Sequence, residues 1–99
     1  MDNSITNNSK DKAVITVIGR DKPGIIAEVS AVLYQYNVNI LDITQTTMQE
    51  YFTMITLVDL SGLNKSYTEL CDTLDKLGEK INLKIQMQHE KIFNSMHRI

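Results

Sequence analysis

The chain has 99 residues, 42% of them hydrophobic and 22% charged, with a net charge of −2 and a pI of about 5.6. A chain of this size makes one domain that buries a little over ~60% of its unfolded surface, so it has little room for a deep private cavity, and ligand sites in such domains tend to lie in surface grooves or between subunits. The mildly acidic balance lacks the basic footprint of non-specific nucleic-acid binding, the single cysteine, Cys71, cannot form an intrachain disulfide, and no apolar run approaches the ~18 residues of a membrane span.

Met1 to Lys12 is rich in Asn, Ser and Asp, with Ile5 its only aliphatic side chain after Met1. It reads as a disordered tail over residues 1–12 without the hydrophobic core of a signal peptide, and the cytoplasm is the expected location. Val14, Ile15, Val17 and Ile18 then form a β-branched run, read as a first strand from Ala13 to Ile18 with apolar residues on both faces. The stretch Gly19-Arg20-Asp21-Lys22-Pro23-Gly24-Ile25-Ile26 joins this strand to a helix. A turn that ends a strand and opens a helix aims free backbone N–H groups at one point, next to the positive end of the helix dipole. Pro23 suits the first helical turn, Gly24 lets a ligand approach the backbone, and Asp21 stands at or beside the N-cap. The eight residues also fit an ordinary tight strand-to-helix turn.

The helix carries Ile25, Val29, Val32 and Tyr36 at helical spacing, with Ile26 and Leu33 beside them, and Asn37 suits its end. Val38 to Met48 and Tyr51 to Leu60 read as two further strands joined at Gln49-Glu50. Ser61 to Asn64 is a loop. A second helix presents Tyr67, Leu70, Cys71, Leu74 and Leu77 on one face, with capping-box spacing at Ser66 and Glu69 and a stop at Gly78. Ile81 to His89 alternates apolar and polar residues as a fourth strand. The last ten residues, with Ile92, Phe93, Met96 and Ile99, suggest a short amphipathic helix.

The order βαββαβ predicts an α+β ferredoxin-like sandwich over residues 13–89, followed by a helical extension over 90–99. Right-handed crossovers place two helices on one face of a four-stranded antiparallel sheet, with the first and third strands central. Those central strands are apolar on both faces. Their second face therefore needs a cover, either a partner subunit or the C-terminal segment.

Few side chains suggest chemistry of their own. Cys71 on an apolar helix face reads as a buried structural thiol rather than a nucleophile. His89, Glu90 and His97 match no strong metal motif, and a structural or tail-packing role is the better reading. Arg20 invites comparison with the phosphate-holding arginine of acylphosphatases, but the surrounding loop differs. No Cys-x-x-Cys supports copper carriage. Tyr51 and Phe52 are adjacent and point to opposite faces, which argues against a base-stacking RNA-binding sheet. No nucleophile, base and orienting group can be assembled, so no enzyme, metal or cofactor is expected.

Taken together, the strand, the Gly19–Ile26 turn with its Asp-x-Pro-Gly, the helix and Asn37-Val38-Asn39-Ile40 at helix-length spacing resemble an ACT domain. The resemblance covers roughly Ala13 to His89. The tail from Gln88 to Ile99 resembles that of small stand-alone bacterial ACT proteins, which are in turn similar to ACT regulators of the glycine cleavage system. The resemblance implies binding of small effectors, most often amino acids, at interfaces between ACT domains. In the serine-sensing domain of phosphoglycerate dehydrogenase, effector-contacting asparagines fall on the positions of Asp21 and, from the partner subunit, Asn39. A histidine that also binds serine there falls on Gly19, so that contact is missing here.

The expected ligand-binding residues are therefore Asp21, Lys22, Pro23, Gly24, Ile25 and Asn39. Amides near Gly24 and Ile25 would accept an effector carboxylate, while anionic Asp21 would meet its ammonium group; alternatively Asp21 merely caps the helix. The expected partners are a small-molecule effector, a second copy of the chain in a homodimer or higher oligomer, and a downstream protein that reads the bound state. The competing expectation is a protein-interaction or dimerisation domain that binds no effector.

Overall fold

The computed structural model describes residues 11–96, and side chains through Phe93. The N-terminal tail before Asp11, and His97 and Ile99, which figure in the tail expectations, lie outside the described residues. Strand β1 (Lys12–Arg20) is followed by helix α1 (Ile25–Gln35), strands β2 (Asn39–Met48) and β3 (Tyr51–Asp59), helix α2 (Tyr67–Ile81), strand β4 (Leu83–His89) and a short helix α3 (Glu90–Met96). The sheet has the order β2-β3-β1-β4, and every pairing is antiparallel. This is the ferredoxin-like arrangement, with β1 and β3 central and a C-terminal helix appended.

Period-two alternation determines what each sheet face carries. Ala13, Ile15 and Val17 of β1 sit beside Phe52, Met54 and Val58 of β3 and Leu83 and Ile85 of β4, all buried. Ile25, Val29 and Leu33, four residues apart on α1, and Leu70, Leu74 and Leu77 on α2 cover that face. At roughly 25 cal/mol per Å² of apolar surface, this single core is the main source of stability. Val32 and Tyr36 flank the α1 stripe, half-buried, and the Tyr36 hydroxyl lies 2.6 Å from Thr73 Oγ1, tying the end of α1 to α2.

Several element ends differ from the sequence reading. β1 runs on through Gly19 and Arg20, because Phe52 and Tyr51 continue the ladder beside them. Arg20 lies 3.5 Å from the Glu50 carboxylate and stacks 5.8 Å from the Tyr51 ring centroid, contacts that reinforce this end of the strand. α1 begins at Ile25 with Gly24 as N-cap, so Pro23 lies before the helix and Asp21 is three residues short of the cap. Gly78 does not end α2. The helix continues to Ile81 and stops at Asn82, whose φ of 59° is left-handed. A Cβ on Gly78 would sit 2.6 Å from the Leu83 carbonyl oxygen, so this glycine permits close helix-to-strand approach. Ile81 consequently belongs to the helix rather than to β4.

Other terminal signals act as read. Ser66 Oγ accepts from the Glu69 N–H and the Glu69 carboxylate accepts from the Ser66 N–H, a complete capping box. Asn37, with φ 59°, closes α1, and the Val38 N–H donates back to the Leu33 carbonyl at 2.9 Å.

Candidate ligand site at the mouth of helix α1

The four residues Asp21 to Gly24 carry the chain from β1 into α1. The Asp21 N–H donates to the Glu50 carbonyl at 2.8 Å, which fixes the start of this loop to the β2–β3 turn. Gly24 adopts φ 87°, a left-handed conformation that disfavours other residues, and a Cβ there would meet nothing within 4 Å. Gly24 is thus required for the bend, while the space above it stays open. The first intrahelical bond runs from the Glu28 N–H to the Gly24 carbonyl, and no side chain caps the helix. The N–H groups of Ile25, Ile26 and Ala27 precede that first bond, so the i→i−4 ladder of the helix leaves them without a partner.

The start of the helix borders a cavity of about 450 Å³ lined by Asp21, Lys22, Gly24, Ile25, Ile26 and Ala27, together with Gln45, Thr47 and Phe52. The far wall comes from β2 and β3. Gln45 pairs with Met54 and Thr47 with Phe52, so both β2 side chains share the helix-covered face of the sheet. The cavity combines amide donors, the exposed Asp21 carboxylate, an amide and a hydroxyl side chain, and an apolar floor at Phe52.

Four of the expected ligand-binding residues, Asp21, Lys22, Gly24 and Ile25, line this cavity together. Pro23 does not line it; it is exposed and shapes the loop. Lys22 lines the wall, but its ammonium donates to the carbonyl of Ile81, at the negative end of α2. Asn39 lies elsewhere in the same chain, in a depression of about 250 Å³ with Tyr34, Asn37 and Asp59. Gln45, Thr47 and Phe52 escaped the sequence reading. Their signal was the hairpin register, since a turn at Gln49-Glu50 puts Thr47 opposite Phe52. A larger depression of about 510 Å³ lies between α2 and β4, with Asp75 and Glu79 on its rim. It sits at the carbonyl end of a helix, where the dipole and both carboxylates repel an anion.

The remaining reactive side chains are engaged or muted. Burial pushes the Cys71 thiol pKa up, as does the nearby Asp75 carboxylate, against the lowering effect of a hydrogen bond with Tyr67. Burial also raises the Tyr67 pKa. His89 Nδ1 accepts from the Lys91 N–H at 3.3 Å, at the start of α3. Among the described residues, no three His, Cys, Asp or Glu side chains group as metal ligands, and no helix is long and apolar enough to cross a membrane.

A ferredoxin-like sandwich whose first helix opens, uncapped, beside an edge strand defines a small α+β domain of the βαββαβ class. The chain belongs to the ACT domain family, whose profile matches residues 11–88. The family is one of regulatory, non-catalytic domains. The chain is 55% identical over 89 residues to a UPF0237 protein of Methanococcus maripaludis, covering 90% of this chain and 99% of that one. A solved ACT domain protein from Streptococcus pneumoniae superposes with a TM-score of 0.73 at 42% identity, over 84% of this chain and 93% of the other. A solved protein assigned as a glycine cleavage system transcriptional repressor matches at 30% identity and a TM-score of 0.65, over 79% of this chain and 44% of that one.

Proposed function

We infer that the chain is a regulatory module that binds an amino acid, or a similar small zwitterion, at the α1 mouth, with a second copy of the chain completing the site. The observation that carries this reading is the pairing of opposite recognition elements around one cavity. The amides of Ile25, Ile26 and Ala27 suit a carboxylate, and the exposed Asp21 carboxylate beside them suits an ammonium group. Asp21 is too far from the helix start to serve as its cap, so a ligand role is the better reading of its charge. A cavity of about 450 Å³ is within the range of small-molecule sites.

Asn39 joins this site only across a subunit boundary. β2 is an edge strand of ten residues, exposed along its length except at Ile40. If two β2 strands paired antiparallel about their midpoints, residue 39 of one would face residue 48 of the other. The partner's Asn39 would then come to the Thr47 end of β2, one residue away along the strand, but on the sheet face of Met48 rather than that of the cavity. Pairing along this edge would give the regulatory output a physical form. An effector that bridges two subunits stabilises one arrangement of the pair, by about 2.7 kcal/mol at one hundred times its dissociation constant.

Thermal denaturation against the twenty amino acids at millimolar concentration tests the reading. A shift confined to one or a few related compounds, reduced at least tenfold in apparent affinity by Asp21→Ala with the unliganded melting temperature unchanged, is the expected result. A flat panel favours the protein-interaction alternative. Undiminished binding by Asp21→Ala removes the ammonium assignment.

A further inference from the structure

We propose that Lys22 is a positioning residue: its ammonium clamps the β1–α1 loop to the end of α2, and the end of α2 therefore responds when the α1 mouth is occupied. The inference rests on the ligand reading above and adds the route by which occupancy leaves the site.

The loop from Asp21 to Gly24 has little packing of its own. Pro23 is exposed and has no N–H to donate. Gly24 is exposed too, and a Cβ built there would meet nothing within 4 Å. Among the described residues, two hydrogen bonds join this loop to other elements. The Asp21 N–H donates to the Glu50 carbonyl at 2.8 Å, at the β2–β3 turn. The Lys22 ammonium donates to the carbonyl of Ile81, the last residue of α2. β3 and β4 flank β1 on opposite sides, and α2 ends where β4 begins, so the two bonds hold the loop from both flanks.

Helix chemistry explains why a lysine is found at Ile81. The last carbonyls of a helix have no partner within it. Asn82 closes α2 in a left-handed conformation and returns its N–H to the carbonyls of Glu79 and Gly78, so Ile81 is served from outside the helix. This end also carries the negative pole of α2 and the carboxylates of Asp75 and Glu79, one turn apart, against a single local cation, Lys80. A further cation, brought from 59 residues away in sequence, is favoured there. Lys22 is half-buried and pairs with no carboxylate among the described residues. Its charge is committed to α2.

A lysine that touched the effector carboxylate would act on the ligand alone. A lysine held on Ile81 acts on the loop, removing freedom that a ligand would otherwise have to remove on binding. Linkage makes the effect mutual. By whatever factor the clamp tightens ligand binding, the ligand tightens the clamp, and the end of α2 becomes better protected as the mouth fills. Asn82 and Leu83 line the depression of about 510 Å³ between α2 and β4, so the response emerges on a surface apart from the α1 mouth.

The test uses NMR on the full chain. The twenty amino acids are screened at millimolar concentration, and the compound giving the largest thermal shift is carried into titration. Lys22→Met keeps the aliphatic stem and removes the donors; Lys22→Arg keeps donors of similar reach. Without ligand, the Ile81 carbonyl carbon signal should move in Lys22→Met and hold its place in Lys22→Arg. With ligand, the wild type should show shifts at Gly24 and Ile25 together with slower hydrogen exchange at Asn82. In Lys22→Met the affinity should fall about tenfold and the Asn82 response should vanish while Gly24 and Ile25 still respond, and Lys22→Arg should recover both. Circular dichroism should be the same for all three chains; should Lys22→Met not fold, the wild-type response at Asn82 and its retention in Lys22→Arg decide the matter. Lost affinity in Lys22→Met with the Ile81 carbon unmoved makes Lys22 a direct ligand contact and overturns the clamp. Wild-type binding that leaves Asn82 unmoved overturns the coupling and spares the ligand reading. A wild type that responds to none of the twenty compounds overturns the ligand reading, and the coupling falls with it.

Discussion

Thr56 stands midway along β3 with its side chain toward the helices, only 1% exposed, and its Oγ1 has no hydrogen-bond partner. Neighbouring Met54 and Val58 on the same face are buried aliphatic residues. A hydroxyl removed from water without a partner is a standing cost. Thr56→Val keeps the β-branch and replaces that hydroxyl with a methyl group. The expected gain is about 1 kcal/mol, read as a higher urea midpoint, and a rise in melting temperature of roughly 4–8 °C for a domain of this size. A loss of stability would mean that the hydroxyl is satisfied in solution. Alternation along β3 was enough to place Thr56 on the core face, but no local pattern tells whether a buried hydroxyl finds a partner. Lys22 illustrates the same limit: its acceptor, the Ile81 carbonyl, is 59 residues away in sequence. Asp21 and Gly24 were legible as neighbours at one cavity because the strand, turn and helix that position them are contiguous.

Secondary-structure elements were most legible where a side chain itself closes the element. Ser66 with Glu69 and Asn37 were readable because their hydrogen bonds or left-handed conformations are local. Gly78 and Pro23 misled for a common reason. Each has a local use at a helix end, but the first is needed for contact with β4 and the second lies in the loop. The β2–β3 turn is a further case. Gln49 holds φ 57° at a position that favours glycine, and it lacks the usual hairpin turn residues. Left-handed backbone costs a residue with a Cβ roughly 1–2 kcal/mol, part of which glycine returns through its greater freedom when unfolded. Gln49→Gly should therefore raise stability by about 0.5–1 kcal/mol. Urea denaturation with an unchanged slope checks this. Because Gln49 does not line the α1 cavity, ligand affinity should stay the same.

For the molecule as a whole, chain order alone implied the sheet order, since two strand–helix–strand units with right-handed crossovers leave few alternatives. The candidate site was half legible: its α1 side follows from one contiguous segment, while its β2 wall depends on register and any contribution from Asn39 on a second chain. That dependence has a measurable consequence. If the partner's Asn39 completes the cavity, the ligand-competent species is the pair of subunits, and ligand affinity is linked to association. Whatever factor the paired state gains in ligand affinity, the ligand must return as tighter pairing. At a fixed concentration of the amino acid that gives the largest shift, diluting the protein a hundredfold should shrink that shift. Sedimentation should show the same compound moving the monomer–dimer equilibrium toward the dimer. Ile43→Lys, at the exposed β2 edge and outside the cavity, should reproduce the diluted behaviour at high protein concentration. A thermal shift that is independent of protein concentration and insensitive to both Ile43→Lys and Asn39→Ala would mean that one subunit holds the ligand alone, and the regulatory signal would then have to arise within a single sandwich.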